Sequence, residues 1–178
     1  SKVNSNVVVE GITLTNSQAI PGTLTLLATA DDASITFQTS PSTFPTLSAQ
    51  ADNGVVIKAD VTTVTSALYL DGDQENSSSE DGILGQRVGF TDARTGSAKG
   101  LVTMLAATGM LMINGATTLK AGLGLSIVGD LVAEAATTSN LVINSDYELP
   151  GDGVFTVAGS KSVNVNDSTL TITAWDLD

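Results

Sequence analysis

Three stretches of the chain share one pattern of short, alternating aliphatic residues: LMINGATTL from Leu111, LVINSDYEL from Leu141 and LTITAWDLD from Leu170. Their starts recur at a near-constant interval of about 30 residues, and a fixed period of this length is the signature of a stacked repeat. It constrains the fold before any other feature does. A second feature keeps step, for LSIV from Leu125 and FTVA from Phe155 follow their leaders at one and the same offset. The N-terminal half repeats more loosely. LTLLATADDASITF opens at Leu24, and VVIKADVTTVTSALYL opens at Val55, close to one such interval later. The next leader, Leu111, comes nearly two intervals further on, and RVGF (87–90) and LVTM (101–104) are candidate strands in that gap.

The physical reason is geometric. A strand of three to five residues cannot bury its inner face alone, whereas like strands stacked about 4.8 Å apart share one core and one hydrogen-bond ladder. The expectation is therefore an all-β chain folded as a short parallel β-helix, with about 30 residues per rung and five to six turns. Evenly spaced strands with turn signals between them also fit a β-sandwich or jelly roll, which is the alternative. In the β-helix reading Leu111, Ile113, Leu141 and Ile143 form one inward core ladder continued by Leu170 and Ile172, and Asn114 and Asn144 stack as amides at a corner. Residues 1–178 form a single domain with an acidic loop insertion at 71–100.

Composition narrows function. Seven basic residues against 19 acidic ones give a formal charge of −12, with no histidine and no cysteine. Nucleic-acid binding rests on Lys and Arg neutralising phosphate, so no nucleic-acid partner is expected. The longest apolar run, LVTMLAATGMLMI (101–113), falls short of the ~20 residues that cross a bilayer, so no membrane insertion is expected. The missing histidine removes the commonest general base, and the acidic residues are scattered over corners, so the chain is read as non-enzymatic. Disulfides and zinc–thiolate sites are excluded outright.

One dense acidic cluster stands out, DGDQENSSSEDG at 71–82. Its hard oxygen donors make Asp71, Asp73 and Glu75 a candidate Ca2+ site, although Asn76 and Gly82 stand where an EF-hand needs its glycine and its glutamate. A solvated loop is the competing reading. Tyr69, Tyr147 and Trp175 are candidates for stacking on glycans. At the C-terminal end, TLTITAWDLD alternates like a half-buried strand and stops in mid-pattern. A strand with nothing beside it exposes a row of backbone donors and acceptors. That predicts another rung beyond it, from the same polypeptide or from a second copy, and makes Val7, Val9, Leu170, Ile172, Trp175 and Leu177 the candidate assembly residues.

The stretch DGVFTVAGSKSVNVNDSTLTITAWDLD (152–178) resembles the degenerate repeats of filamentous-haemagglutinin-like secreted and surface proteins. Those repeats run through a Gly-Asp corner, an F-T-V strand, an S-K corner, an N-D corner and an L-T-I-T-A-x-D-L-D strand. The resemblance extends back to Leu111 and is compositional. Trp175 departs from the small or acidic residue usual at its place, and 71–82 has no counterpart. What the resemblance implies is a right-handed β-helix located outside the cell or on its surface. The expected function is a self-associating structural building block of a filament, tubule or surface layer, with copies of itself as partner. A carbohydrate-binding or adhesion module is the alternative.

Overall fold

In the computed structural model, described for residues 2–3, 5–76, 87–134, 139–148 and 151–178, strands hold 51% of the chain and helix 3%. Every strand pairing is parallel, which places the chain in the all-β class with parallel sheets. Parallel neighbours need a crossover between them, so consecutive strands cannot pair as hairpins and must lie on different sides of the core.

The pairings resolve into three ladders. The first runs from Val7–Val9 through Ile35–Phe37, Val55–Ile57, Arg87–Phe90, residues 110–113 and 130–133 to Val163–Asn164. The second runs from Ser42–Phe44 through Val61–Thr63, Arg94–Ala98, Thr117–Ala121 and Leu141–Asn144 to Leu170–Thr173. The third starts at Lys2–Val3 and Leu24–Ala28. It continues through Leu47–Ala51, Leu68–Asp71, residues 102–105 and 125–128, and Val154–Val157, and it ends at Asp176–Leu177. The chain visits third, first and second ladder in that order, again and again. Two long strands, Val102–Ile113 and Leu125–Ala133, pass through the third and first ladders without a break, and this joins those two ladders into a 13-stranded sheet beside the six-stranded second ladder.

Alternation builds each strand. Val55–Ile57 and Val61–Thr63 bury their outer two residues and turn the middle one outward, and Leu125–Ala133 keeps that alternation along its whole length. The inward residues of all three ladders merge into one core cluster. It is aliphatic except for a few rings, two of which, Phe37 and Phe44, meet edge-to-face at 6.5 Å across the first and second ladders. Glycine is needed where the path bends hardest. Gly115 has φ +88°, and a Cβ there would lie 2.3 Å from Asp92 Oδ1. Gly129 sits at the bend of the long strand, facing residues 106–109 across a register shift, and its Cβ would approach Ala106 O at 2.9 Å.

Two expectations need correction. The pairs Leu141↔Leu170 and Leu125↔Phe155 are true register partners. Leu111, however, pairs with Val88 and Leu131 in the first ladder, while Leu141 pairs with Thr117 and Leu170 in the second. Leu111 and Ile113 therefore do not stack on Leu141 and Ile143, although all four side chains are fully buried. Asn114 and Asn144 consequently stand at different corners and form no amide stack. The reason is that all three sides carry the same inward alternation, so two sides of one turn imitate one side of two turns. The interval between register partners is uneven, short at Ile35↔Val55 and Leu111↔Leu131 and long at Val55↔Val88 and Leu125↔Phe155, so corner length sets the spacing. The insertion is also shorter than 71–100, because Arg87–Phe90 and Arg94–Ala98 are ordinary ladder strands. Its central part, 77–86, lies outside the described residues.

Candidate functional site

Among the described residues, polar side chains at the corners bond repeatedly to the backbone of another turn. Short side chains at the corners accept an N–H from a neighbouring turn: Asp60 from Thr95 at 2.9 Å, Asp92 from Ala116 at 2.8 Å, Ser139 from Gly115 at 3.0 Å and Asn140 from Thr169 at 3.1 Å. At another set of corners Asn6 accepts from Ser34 N at 2.9 Å, Asp52 from Asp32 N at 2.8 Å and Asp130 from Ser162 N at 3.0 Å. Strand ladders leave the corner amides unpaired, and a carboxylate, amide or hydroxyl one turn away satisfies them. Sequence reasoning missed these acceptors. The signal was there, since Asp, Asn and Ser recur between the aliphatic strands.

The acidic cluster belongs to the same scheme. Asp71 is buried at the end of its strand. Its Oδ1 accepts from Asp73 N at 3.2 Å and its Oδ2 accepts from the Tyr69 hydroxyl at 3.3 Å. Asp73 is fully buried, and its Oδ2 accepts from the Thr108 amide and hydroxyl and from Gly109 N. It thereby fixes the irregular segment between Leu105 and Met110 where the register shifts. Asp71, Asp73 and Glu75 are not brought together as a ligand set, for among the described residues no group of three or more acidic side chains is placed to hold a metal ion. Part of the cluster, 77–82, lies outside the described residues.

Burial raises the Asp71 pKa above the ordinary aspartate value, and the neighbouring Asp73 charge adds to this, against the lowering effect of the Asp73 and Tyr69 hydrogen bonds. The fold therefore holds the Asp71 proton more tightly than the unfolded chain does. The stability this gives is complete below the unfolded pKa and is lost as pH rises through the folded one. Asp71→Asn keeps an acceptor for Asp73 N–H and removes the titration. The variant is expected to unfold at higher urea concentration than the parent at neutral pH, with the gap closing towards pH 4. Urea titrations across that range check it.

Tyr69 is half-buried against Asp71 on a third-ladder strand, whereas Tyr147, whose hydroxyl approaches Glu148 Oε1 at 3.4 Å, and Trp175 both lie at the corner between the second and third ladders, on successive turns.

What does gather is apolar surface at the two far sides of the ladders. Leu141 and Ile143 are fully buried, yet their register partners Leu170 and Ile172 are 36% and 37% exposed. Trp175 and Leu177 are 66% and 64% exposed. The same inward positions change from core to surface because, among the described residues, no further strand lies over them. At the opposite side a cleft of about 610 Å3 is lined by Val7, Val9, Ile12, Ile20, Leu24 and Leu26, among others. Ile12 also extends the second ladder, for its N–H reaches Ser42 Oγ and its carbonyl accepts from Thr43 N at 2.7 Å. A one-turn helix, Leu14–Ser17, follows, and Ser17 Oγ donates to Thr43 O at 2.9 Å. On the cleft's rim Gln38 and Thr39 donate to Glu10, which lowers its pKa and keeps it charged. The candidate assembly residues thus fall into two groups, Val7 and Val9 on one side and Leu170, Ile172, Trp175 and Leu177 on the other.

No family model, no curated protein and no solved structure matches this chain. Among the described residues no helix is long and apolar enough to cross a membrane.

Proposed function

We propose that this chain is a short right-handed parallel β-helix serving as a non-enzymatic building block of an extracellular filament, tubule or surface layer, joined end to end with copies of itself. The carrying observation is the loss of burial at Leu170 and Ile172, one register step from fully buried Leu141 and Ile143. Hydrocarbon surface costs about 25 cal/mol per Å2 to leave in water, and a contiguous apolar patch marks an interaction site. The three-ladder order, with every pairing parallel, supports the β-helix, because a coil visiting three sides in rotation produces that pattern. Placement outside the cell rests on the repeat resemblance and on an acidic surface that suits a highly soluble subunit.

Purified protein is expected to form rods or filaments in negative-stain micrographs and concentration-dependent oligomers by sedimentation. Raising the ionic strength from about 10 to 150 mM should favour assembly, since it shortens the screening length to ~8 Å and weakens repulsion between subunits of charge −12. A chain that stays monomeric at millimolar concentration and physiological salt would sink the proposal.

A further inference from the structure

We infer that the corner between the second and third ladders is a binding surface for a neutral polysaccharide, whose sugar rings lie along Leu101, Leu123, Tyr147 and Trp175. This goes beyond the self-association proposed above and does not require it.

The three corners of the coil are built differently. Between the first and second ladders, and between the third and first, side chains such as Asp60, Asp92, Asn6 and Asp52 accept amides of a neighbouring turn. Between the second and third ladders main-chain carbonyls meet the amides instead. Gly100 N–H donates to Ser66 O at 3.1 Å, Leu123 N–H to Gly100 O at 3.3 Å and Trp175 N–H to Gly153 O at 3.0 Å. Side chains at this corner are therefore released from capping the backbone. Large apolar ones take the places on four consecutive turns, Leu101 being 41% exposed, Leu123 58%, Tyr147 37% and Trp175 66%. Among the described residues, no large hydrophobic side chain is exposed at the other two corners. Hydrocarbon held in water is unfavourable, and the chain's own hydrogen bonding does not call for it here. A row of this kind marks an interaction surface.

Its shape selects the occupant. Four turns about 4.8 Å apart give a row about 14 Å long, and it is one side chain wide. That is far below the ~800 Å2 per partner of a stable protein interface, and it suits a narrow, extended ligand. Tyr147 and Trp175 offer ring faces to the C–H face of a sugar, and each carries a polar tip for a hydroxyl. Beside Leu123 a shallow cleft of about 210 Å3 opens between Lys99, Glu148 and Asp152. Gly122 lines it without a side chain, and a Cβ there would come to 3.2 Å from Glu148 Cγ. Among the described residues neither Lys99 nor Asp152 has a side-chain hydrogen bond or ion pair. A sugar hydroxyl both donates and accepts, so it can use the ammonium and the carboxylates together. The two carboxylates outnumber the one cation, and the chain carries −12 overall, so an acidic glycan or an anionic lipid surface is repelled. A neutral saccharide is what the corner fits. Each contact is shallow, and a chain spanning several turns gains by engaging them together.

Trp175 is the sole tryptophan, so its emission reports the site directly. Cellohexaose and laminarihexaose, two neutral chains of different linkage, are titrated into dilute, unassembled protein. At least one is expected to shift Trp175 emission to the blue and to saturate. Tyr147→Ala should weaken that binding about 10-fold, as loss of a stacking ring does. Asn164→Ala, on the outer face of the first ladder, should leave it unchanged. Both positions are exposed, so both variants should fold.

No shift with either chain up to about 10 mM, weaker than specific recognition, would overturn the inference. So would saturable binding that Tyr147→Ala leaves intact, because the site would then lie elsewhere. An equal response to hexagalacturonate would overturn the assignment to neutral sugars. A blue shift that follows protein concentration rather than saccharide would make a second copy the occupant of this corner. Because the titration reads the unassembled chain, its failure leaves end-to-end association standing, and a chain that never assembles can still bind saccharide.

Discussion

Leu111→Ala is expected to destabilise the chain by about 2–5 kcal/mol, the range for truncating a fully buried leucine and leaving a cavity. Leu170→Ala should cost under about 1.5 kcal/mol in the unassembled protein, because a third of that side chain is already in water. Denaturant titrations of dilute protein make the comparison. The two leucines open the same L-x-I pattern and look equivalent in the sequence. They differ because Leu111 has a ladder partner on both sides, Val88 and Leu131, whereas Leu170 has only Leu141. If assembly covers Leu170, its substitution should become costly in the assembled material and lower the yield of filaments. Equal losses in the dilute protein would mean that Leu170 is covered within a single chain, and the open side would then not exist.

Asp73→Ala should be as damaging as loss of a core leucine, about 2–5 kcal/mol. One carboxylate oxygen accepts from the Thr108 amide, the Thr108 hydroxyl at 2.9 Å and the Gly109 amide at 3.2 Å. Asp73 itself is fully buried, and each hydrogen bond lost to a charged acceptor costs about 1.5–3 kcal/mol. Asp73→Asn retains an acceptor at the same place and gives up a buried charge, so it should recover most of the loss. Thermal or urea unfolding of the two variants separates these outcomes. Should alanine and asparagine behave alike and mildly, Asp73 would not be what holds the residue 106–109 segment in place. The contrast with Asp71 is instructive. Asp71 receives only two hydrogen bonds and burial raises its pKa, so its asparagine variant is expected to gain stability where that of Asp73 does not.

The acidic cluster shows where sequence reasoning stopped. Asp71 and Asp73 carry the donor type a hard cation prefers, and nothing in the string DGDQENSSSEDG reveals that Asp73 reaches Thr108 and Gly109, a full turn further along the chain. A corner acceptor and a metal ligand are the same chemical group. What distinguishes them is which backbone amides face the group, and those come from a different turn. Gly72 adds a second tie that the sequence conceals, for its missing Cβ leaves room for the Arg87 carbonyl.

The amino-acid sequence by itself determined that this is a strand-built, repetitive chain with an aliphatic core and an acidic exterior. Alternation at two-residue period, Val-, Ile- and Thr-rich strands and recurrent Asp, Asn, Ser and Gly corners are local properties, visible without a partner. The true pairs Leu141↔Leu170 and Leu125↔Phe155 were legible because the corners between them are of similar length. Only the tertiary structure decided which side of the core each strand takes, and hence that Leu111 belongs with Val88 and Leu131. Three sides with the same inward alternation are indistinguishable along a string, while a parallel ladder accepts just the partner that its hydrogen bonds and corner lengths allow. Exposure of Leu170, Ile172, Trp175 and Leu177 has the same origin. Those residues read as core, and they lie at the surface because burial depends on a neighbouring strand that a residue's own sequence does not contain.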